Sequence, residues 1–141
     1  MRKFNILLVE DNEGDILLTE EAINTKKFIS KISIAKNGVL AIEFLENILR
    51  EQSEKLPDII LLDINLPKKN GQEVLSFIKG NEELKQIPVI MFTTSSTEKD
   101  IITSYKNHAN CFITKPVDLN DFMNTIAKIE DFWFNYVKLP G

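Results

Sequence analysis

The sequence predicts an α/β fold, a doubly wound parallel sheet of five strands with five helices covering both faces. Three observations carry that prediction. Apolar runs of strand length alternate along the chain with segments of helical period. Three of the runs, Ile6-Leu7-Leu8-Val9, Ile59-Ile60-Leu61-Leu62 and Val89-Ile90-Met91-Phe92, are apolar throughout, as in strands buried on both faces. Four runs end in polar groups at the same end: Glu10-Asp11, Asp63, Thr93-Thr94 and, after Cys111-Phe112-Ile113-Thr114, Lys115-Pro116.

The elements follow in order. Residues 4–9 form the first strand, and a helix over 14–26 starts near Asn12 or Glu13. Residues 31–36 alternate weakly and make a more polar strand, suited to a sheet edge. Leu40, Ala41, Phe44, Leu45, Ile48 and Leu49 lie on one stripe of a second helix, with Asn37 as its cap. The polar stretch Arg50 to Lys55 is a loop closed by Pro57, and the third strand covers 58–63. A helix after Asn70-Gly71 turns Val74, Leu75 and Ile78 inward. The fourth strand is 88–92. Ser96 or Thr97 caps a helix carrying Ile101, Ile102 and Tyr105, and the fifth strand is 110–114. The last helix begins near Asp118 and presents Leu119, Phe122, Met123, Ile126 and Ile129 on one face.

Composition narrows the function classes. A chain of 141 residues with 43% hydrophobic content fits one domain with a full core. If that domain occupies residues 1–130, the remaining 131–141 are an aromatic extension with no room for a separate output module. No apolar run approaches the roughly 20 residues that span a bilayer. The N-terminus lacks the pattern of a signal peptide, so a cytoplasmic location is expected. The net charge of −4, with no basic cluster beyond Lys26-Lys27 and Lys68-Lys69, argues against direct nucleic-acid binding. Cys111 is the single cysteine and cannot form an intramolecular disulfide; within an apolar run it is expected to be buried and inert.

In an open parallel sheet, ligands bind beyond the carboxyl ends of the strands. That rule brings Glu10, Asp11, Asp63, Thr93 and Lys115 together, although Asp11, Asp63 and Lys115 are separated by 52 residues each. Three acids, a hydroxyl and a lysine suit a divalent cation and a phosphoryl group.

The stretches Leu8-Val9-Glu10-Asp11-Asn12, Leu61-Leu62-Asp63-Ile64-Asn65-Leu66-Pro67, Asn70-Gly71 and Thr114-Lys115-Pro116 together resemble the CheY-like receiver domain of two-component response regulators, over residues 4 to about 130. The long segment before Pro57 and the ending Asp131 to Pro140 resemble a narrower group, the stand-alone regulators of cyanobacterial phytochromes and related kinases. The resemblance implies the flavodoxin-like strand order 2-1-3-4-5. It implies a phosphoacceptor rather than an enzyme acting on a separate substrate, with self-catalysed phosphotransfer and autodephosphorylation. Asp63 would accept the phosphoryl group from a sensor histidine kinase, with Mg²⁺ held by Asp11, Asp63 and the carbonyl of Asn65, and by Glu10 through water. Lys115 would pair with Asp63 and then with the phosphoryl oxygens, next to a cis bond at Pro116. Thr93 and Phe112 would form the switch. Asn65 and Ser95 lie where autodephosphorylation is tuned. Output would pass to a downstream protein target or a phosphotransfer protein.

Other features stand apart from the resemblance. Phe132, Trp133, Phe134 and Tyr136 crowd the terminus, and extra aromatics there point to a homodimer interface with the fourth helix and fifth strand. His108, the only histidine, fits a surface position at a helix end. A Mg²⁺-dependent phosphatase of the haloacid dehalogenase type would need an acid two residues after Asp63, where Asn65 stands. A flavin site would need a hydroxyl- and glycine-rich phosphate loop. A phosphate-independent interaction scaffold is the remaining alternative.

Overall fold

The computed structural model describes residues 3–24, 29–52 and 54–140. Strands and helices alternate as β1 (Phe4–Val9), α1 (Glu13–Asn24), β2 (Ile29–Ala35), α2 (Gly38–Glu51), β3 (Ile59–Leu62), α3 (Gly71–Lys79), β4 (Val89–Thr93), α4 (Glu98–Lys106), β5 (Cys111–Thr114) and α5 (Leu119–Asp131). A π-helical turn, Phe132–Tyr136, continues α5. The strands are all parallel and ordered β2-β1-β3-β4-β5, which makes β2 the expected edge.

Strand alternation divides the core into two layers. Leu7, Val9, Ile60, Leu62, Val89 and Met91 face α2 and α3, meeting Ala41, Leu45, Val74, Leu75 and Ile78. Ile6, Leu8, Ile59, Leu61, Ile90 and Phe92 face α1 and α5, meeting Ile16, Ile23, Phe122, Ile126 and Ile129. Both faces of the central strands are therefore dry, which is why their sequences show no polar alternation.

Side-chain caps start the helices by satisfying backbone N–H groups that have no partner within the helix. Asn12 Oδ1 accepts from Asp15 N at 2.9 Å, Asn37 Oδ1 from Leu40 N at 2.8 Å and Asp118 Oδ1 from Asp121 N at 3.0 Å. Of the two candidates before α4, Thr97 is the cap, accepting from Asp100 N at 3.2 Å. Asn70 and Glu73 form a reciprocal capping box at α3.

The departures from expectation are local. β2 starts at Ile29, two residues early, and the expected end of α1 at 25–26 lies outside the described residues. α2 runs to Glu51, into the stretch read as loop, and stops where Gln52 turns left-handed at φ 52°. Leu40 and Leu119, on the apolar stripes of α2 and α5, and Ile102 and Tyr105, carried by α4, are about half exposed. The stripes are wider than the surfaces the helices press against the sheet. The Lys115–Pro116 bond is trans, not cis; the two isomers of an X–Pro bond differ by only about 0.5–1 kcal/mol. Cys111 is half-buried, and burial pushes its thiol up to about 11, consistent with an inert group.

The aromatic tail splits in two. Phe134 stacks on Phe4 with ring centroids 4.1 Å apart, and Trp133 and Leu139 join the α1/α5 layer. Phe132 and Tyr136 stay exposed. The wider π turn re-aims the side chains relative to the α5 stripe, so neighbouring aromatics leave in opposite directions. Among the described residues no helix is long and apolar enough to cross a membrane.

Candidate functional site

Register levels the strand ends. Val9 pairs with Ala35 and Leu62, Leu62 with Met91, and Thr93 with Thr114. Backbone bonds carry the pairing one residue further: Glu10 N donates to Ala35 O at 3.0 Å, Asp63 N to Val9 O at 3.1 Å and Lys115 N to Thr93 O at 2.7 Å. The residues after the apolar runs are thus delivered to one edge by the sheet itself.

Lys115 is the centre of the site. Its Nζ donates to Glu10 Oε1, to Asp63 Oδ2 at 2.9 Å and to Asp15 Oδ2 at 2.8 Å. Glu10, Asp63 and Lys115 are 3%, 5% and 6% exposed, so these are buried ion pairs. Asp15 is the member that the sequence did not reveal. It sits on the first turn of α1, four residues after Asp11, and reads there as an ordinary acid at a helix N-terminus.

The remaining predicted residues fall around this centre. One carboxylate oxygen each from Glu10, Asp11 and Asp63 lie within 4.8 Å of one another. Glu10 Oε2 accepts from Asn12 N and Asp63 Oδ1 from Asn65 N, both at 3.2 Å. Thr93 is fully buried, and its Oγ1 accepts from Ser95 N at 3.3 Å. Phe112 is half-buried against the α2/α3 layer, and its N–H donates to Tyr105 Oη at 3.2 Å. Phe132, Trp133, Phe134 and Tyr136 belong to the tail, away from this cluster. His108 is exposed just past α4, with φ 71°.

The electrostatics suit a cation. Three carboxylates, of Glu10, Asp15 and Asp63, meet one ammonium, and that of Asp11 lies beside them. Burial pushes the Glu10 carboxyl from 4.5 up to about 7, the charge of Asp63 adds to this, and the bonds from Lys115 only partly oppose it. Burial alone would lower the Lys115 pKa, yet its bonds to Asp15 and Glu10 and the charge of Asp63 carry it above the ordinary 10.5. Three clustered carboxylate oxygens with surplus negative charge fit a hard divalent ion.

A pH effect follows. Between about 4.5 and 7 the metal-free fold keeps a proton on Glu10 that the unfolded chain has released. Stability from this group is therefore present at low pH and lost as pH rises through about 7. A cation must displace that proton below this point. Millimolar Mg²⁺ should raise the melting temperature more at pH 8 than at pH 6, and equal shifts in the two melts would contradict the assignment.

The family model of the response regulator receiver domain matches residues 6–127. The chain belongs to that family. The receiver is 44% identical over 136 residues to response regulator Rcp1 of Synechocystis sp., covering 96% of this chain and 92% of that protein. It is 38% identical over 139 residues to the probable methanogenesis regulatory protein FilR2 of Methanothrix harundinacea, covering 98% of this chain and 88% of the relative. Among solved structures it resembles the phosphorylated cyanobacterial phytochrome response regulator RcpA, with TM-score 0.94, 40% identity and 99% of each chain covered. It also resembles the Mn²⁺-bound form of Rcp1, with TM-score 0.91, 43% identity and 98% and 99% covered. This receiver is thus a response regulator similar to Rcp1 and RcpA, and its family membership implies a histidine kinase as partner.

Proposed function

We propose that Asp63 accepts a phosphoryl group from a sensor histidine kinase in a Mg²⁺-dependent reaction. The new charge then alters a protein-binding surface. The observation that carries this reading is the buried Asp63 carboxylate, paired with Lys115 at 2.9 Å beside the acids Glu10 and Asp11. A carboxylate oxygen of Asp63 attacks the phosphorus of a phosphohistidine. The P–O bond forms as the P–N bond breaks, and the imidazole leaves with the electron pair and takes up a proton.

Asp11, Asp63 and the Asn65 carbonyl would hold Mg²⁺, with Glu10 acting through water. When bound, the ion would supply positive charge to offset the carboxylates and the phosphoryl oxygens. Lys115 would neutralise the same oxygens, and Thr93 would donate its hydroxyl to one of them. Hydrolysis by water returns Asp63 to a carboxylate, with Asn65 and Ser95 tuning its rate. Support comes from RcpA, described as phosphorylated, and Rcp1, described as Mn²⁺-bound. The phytochrome association of RcpA supports a phytochrome-type kinase.

On this reading residues 1–130 are the receiver and 131–141 an extension that serves output. Thr93 and Phe112 link the site to α4 and β5, where Ile102 and Tyr105 are exposed, as are Phe132 and Tyr136 on the tail. These groups suit a homodimer interface or a downstream partner. The phosphatase alternative fails for want of an acid at Asn65.

Treatment with a small phosphodonor and Mg²⁺ should add one phosphate mass to the intact protein, and none to Asp63→Asn. Size-exclusion chromatography of the same samples tests assembly, with a phosphate-dependent shift expected. A chain that binds Mg²⁺ but gains no mass would instead be a phosphate-independent scaffold.

A further inference from the structure

α4 is seated by hydrogen bonds rather than by apolar packing. Ser104 is its one buried residue, at 0% exposed, while Ile102 and Tyr105 are 45% and 50% exposed. The side chain that meets Ser104 comes from Gln72, on the first turn of α3. Its Nε2 donates to Ser104 Oγ at 2.9 Å and to the Asp100 carbonyl at 3.4 Å. Its Oε1 accepts from Asn107 Nδ2 at 3.4 Å. One amide thus bridges the first turn of α4 to its C-cap.

Gln72 is also tied to the Asp63 loop. Its neighbour Gly71 lies so close that an added Cβ would stand 2.1 Å from Asp63 O and 2.6 Å from Ile64 Cα. Gly71 N donates to Ile64 O at 2.8 Å. No slack remains between the Asp63 backbone and the turn that carries Gln72. A shift of the loop is therefore a shift of the amide. Bonds already at 3.4 Å are lost with small further displacement.

We infer that Gln72 is a positioning residue that couples the Asp63 loop to α4, holding the helix in place while Asp63 is unmodified. This inference rests on the reading of Asp63 as the phosphoacceptor. It describes a path through α3, separate from the one through Thr93 and Phe112. Coupling is reciprocal: whatever loosens α4 favours the modified state of Asp63 by the same factor.

Gln72→Met keeps the length of the side chain and removes both its donor and its acceptor. Calorimetric titration with beryllofluoride and Mg²⁺, a phosphoryl mimic, is expected to show binding about three- to tenfold tighter than wild type, the worth of a typical hydrogen bond. Hydrogen exchange of the α4 amides is expected to be faster in the variant. A purely structural role would lower the melting temperature and leave the affinity unchanged. Wild-type binding with an unchanged or weaker Gln72→Met overturns the coupling alone. Beryllofluoride failing to bind the wild type overturns the phosphoacceptor reading, and the coupling with it.

Discussion

Lys115→Met should abolish phosphorylation of Asp63 on the timescale of the wild-type reaction and destabilise the metal-free protein by about 3–5 kcal/mol at pH 8. The lysine bonds to Glu10, Asp15 and Asp63, whose side chains are 4%, 24% and 6% exposed. Without it, buried carboxylates face one another with no cation between them. Removing one partner of a buried ion pair is far costlier than never having built the pair, because the other charge stays desolvated. Relief comes from protonation. Glu10 is already held up to about 7, so the penalty should shrink as pH falls toward 6. Mg²⁺ should also recover part of the loss, since it supplies the missing positive charge. Denaturant melts at the two pH values, with and without Mg²⁺, give the stability, and intact mass after a phosphodonor gives the transfer. A variant as stable as the wild type at pH 8 would mean that these carboxylates do not depend on Lys115.

Gly71→Ala should cost about 3 kcal/mol, at the upper end for overpacking, and lower the melting temperature by about 10 °C. The reason is space rather than backbone conformation. The new methyl would meet backbone atoms, Asp63 O at 2.1 Å and Ile64 Cα at 2.6 Å, which cannot rotate aside as a side chain can. The loop carrying Asp63 must move instead, so cation binding should weaken together with stability. Gly14→Ala is the control: its new Cβ meets only the side-chain Oδ1 of Asn12, at 3.3 Å. Its melting temperature should stay within about 2 °C of wild type, the range of a benign surface change. If thermal melts showed both variants alike, the close packing of α3 beneath Asp63 would not matter to the fold.

Sequence alone determined the five strands, the cap at Asn37, and the meeting of Glu10, Asp11, Asp63, Thr93 and Lys115 at one sheet edge. These were legible because each follows from a local pattern with one physical solution. A continuous apolar run must be buried on both faces, parallel register then levels the strand ends, and a residue just past such an end has nowhere else to go. Tertiary structure decided what depends on how the elements lean on one another. Asp15 reaches Lys115 from 100 residues away, and no local pattern marks it among the acids of α1. Phe134 turns onto Phe4 while Phe132 stays exposed, because a π turn rather than α-helical spacing aims the tail. Ser104 is buried and its apolar neighbour Tyr105 is not, because the surface facing α4 there is the amide of Gln72. Burial of apolar runs is encoded residue by residue. The pairing of polar groups is set only when the packed elements fix which of them come within hydrogen-bond reach.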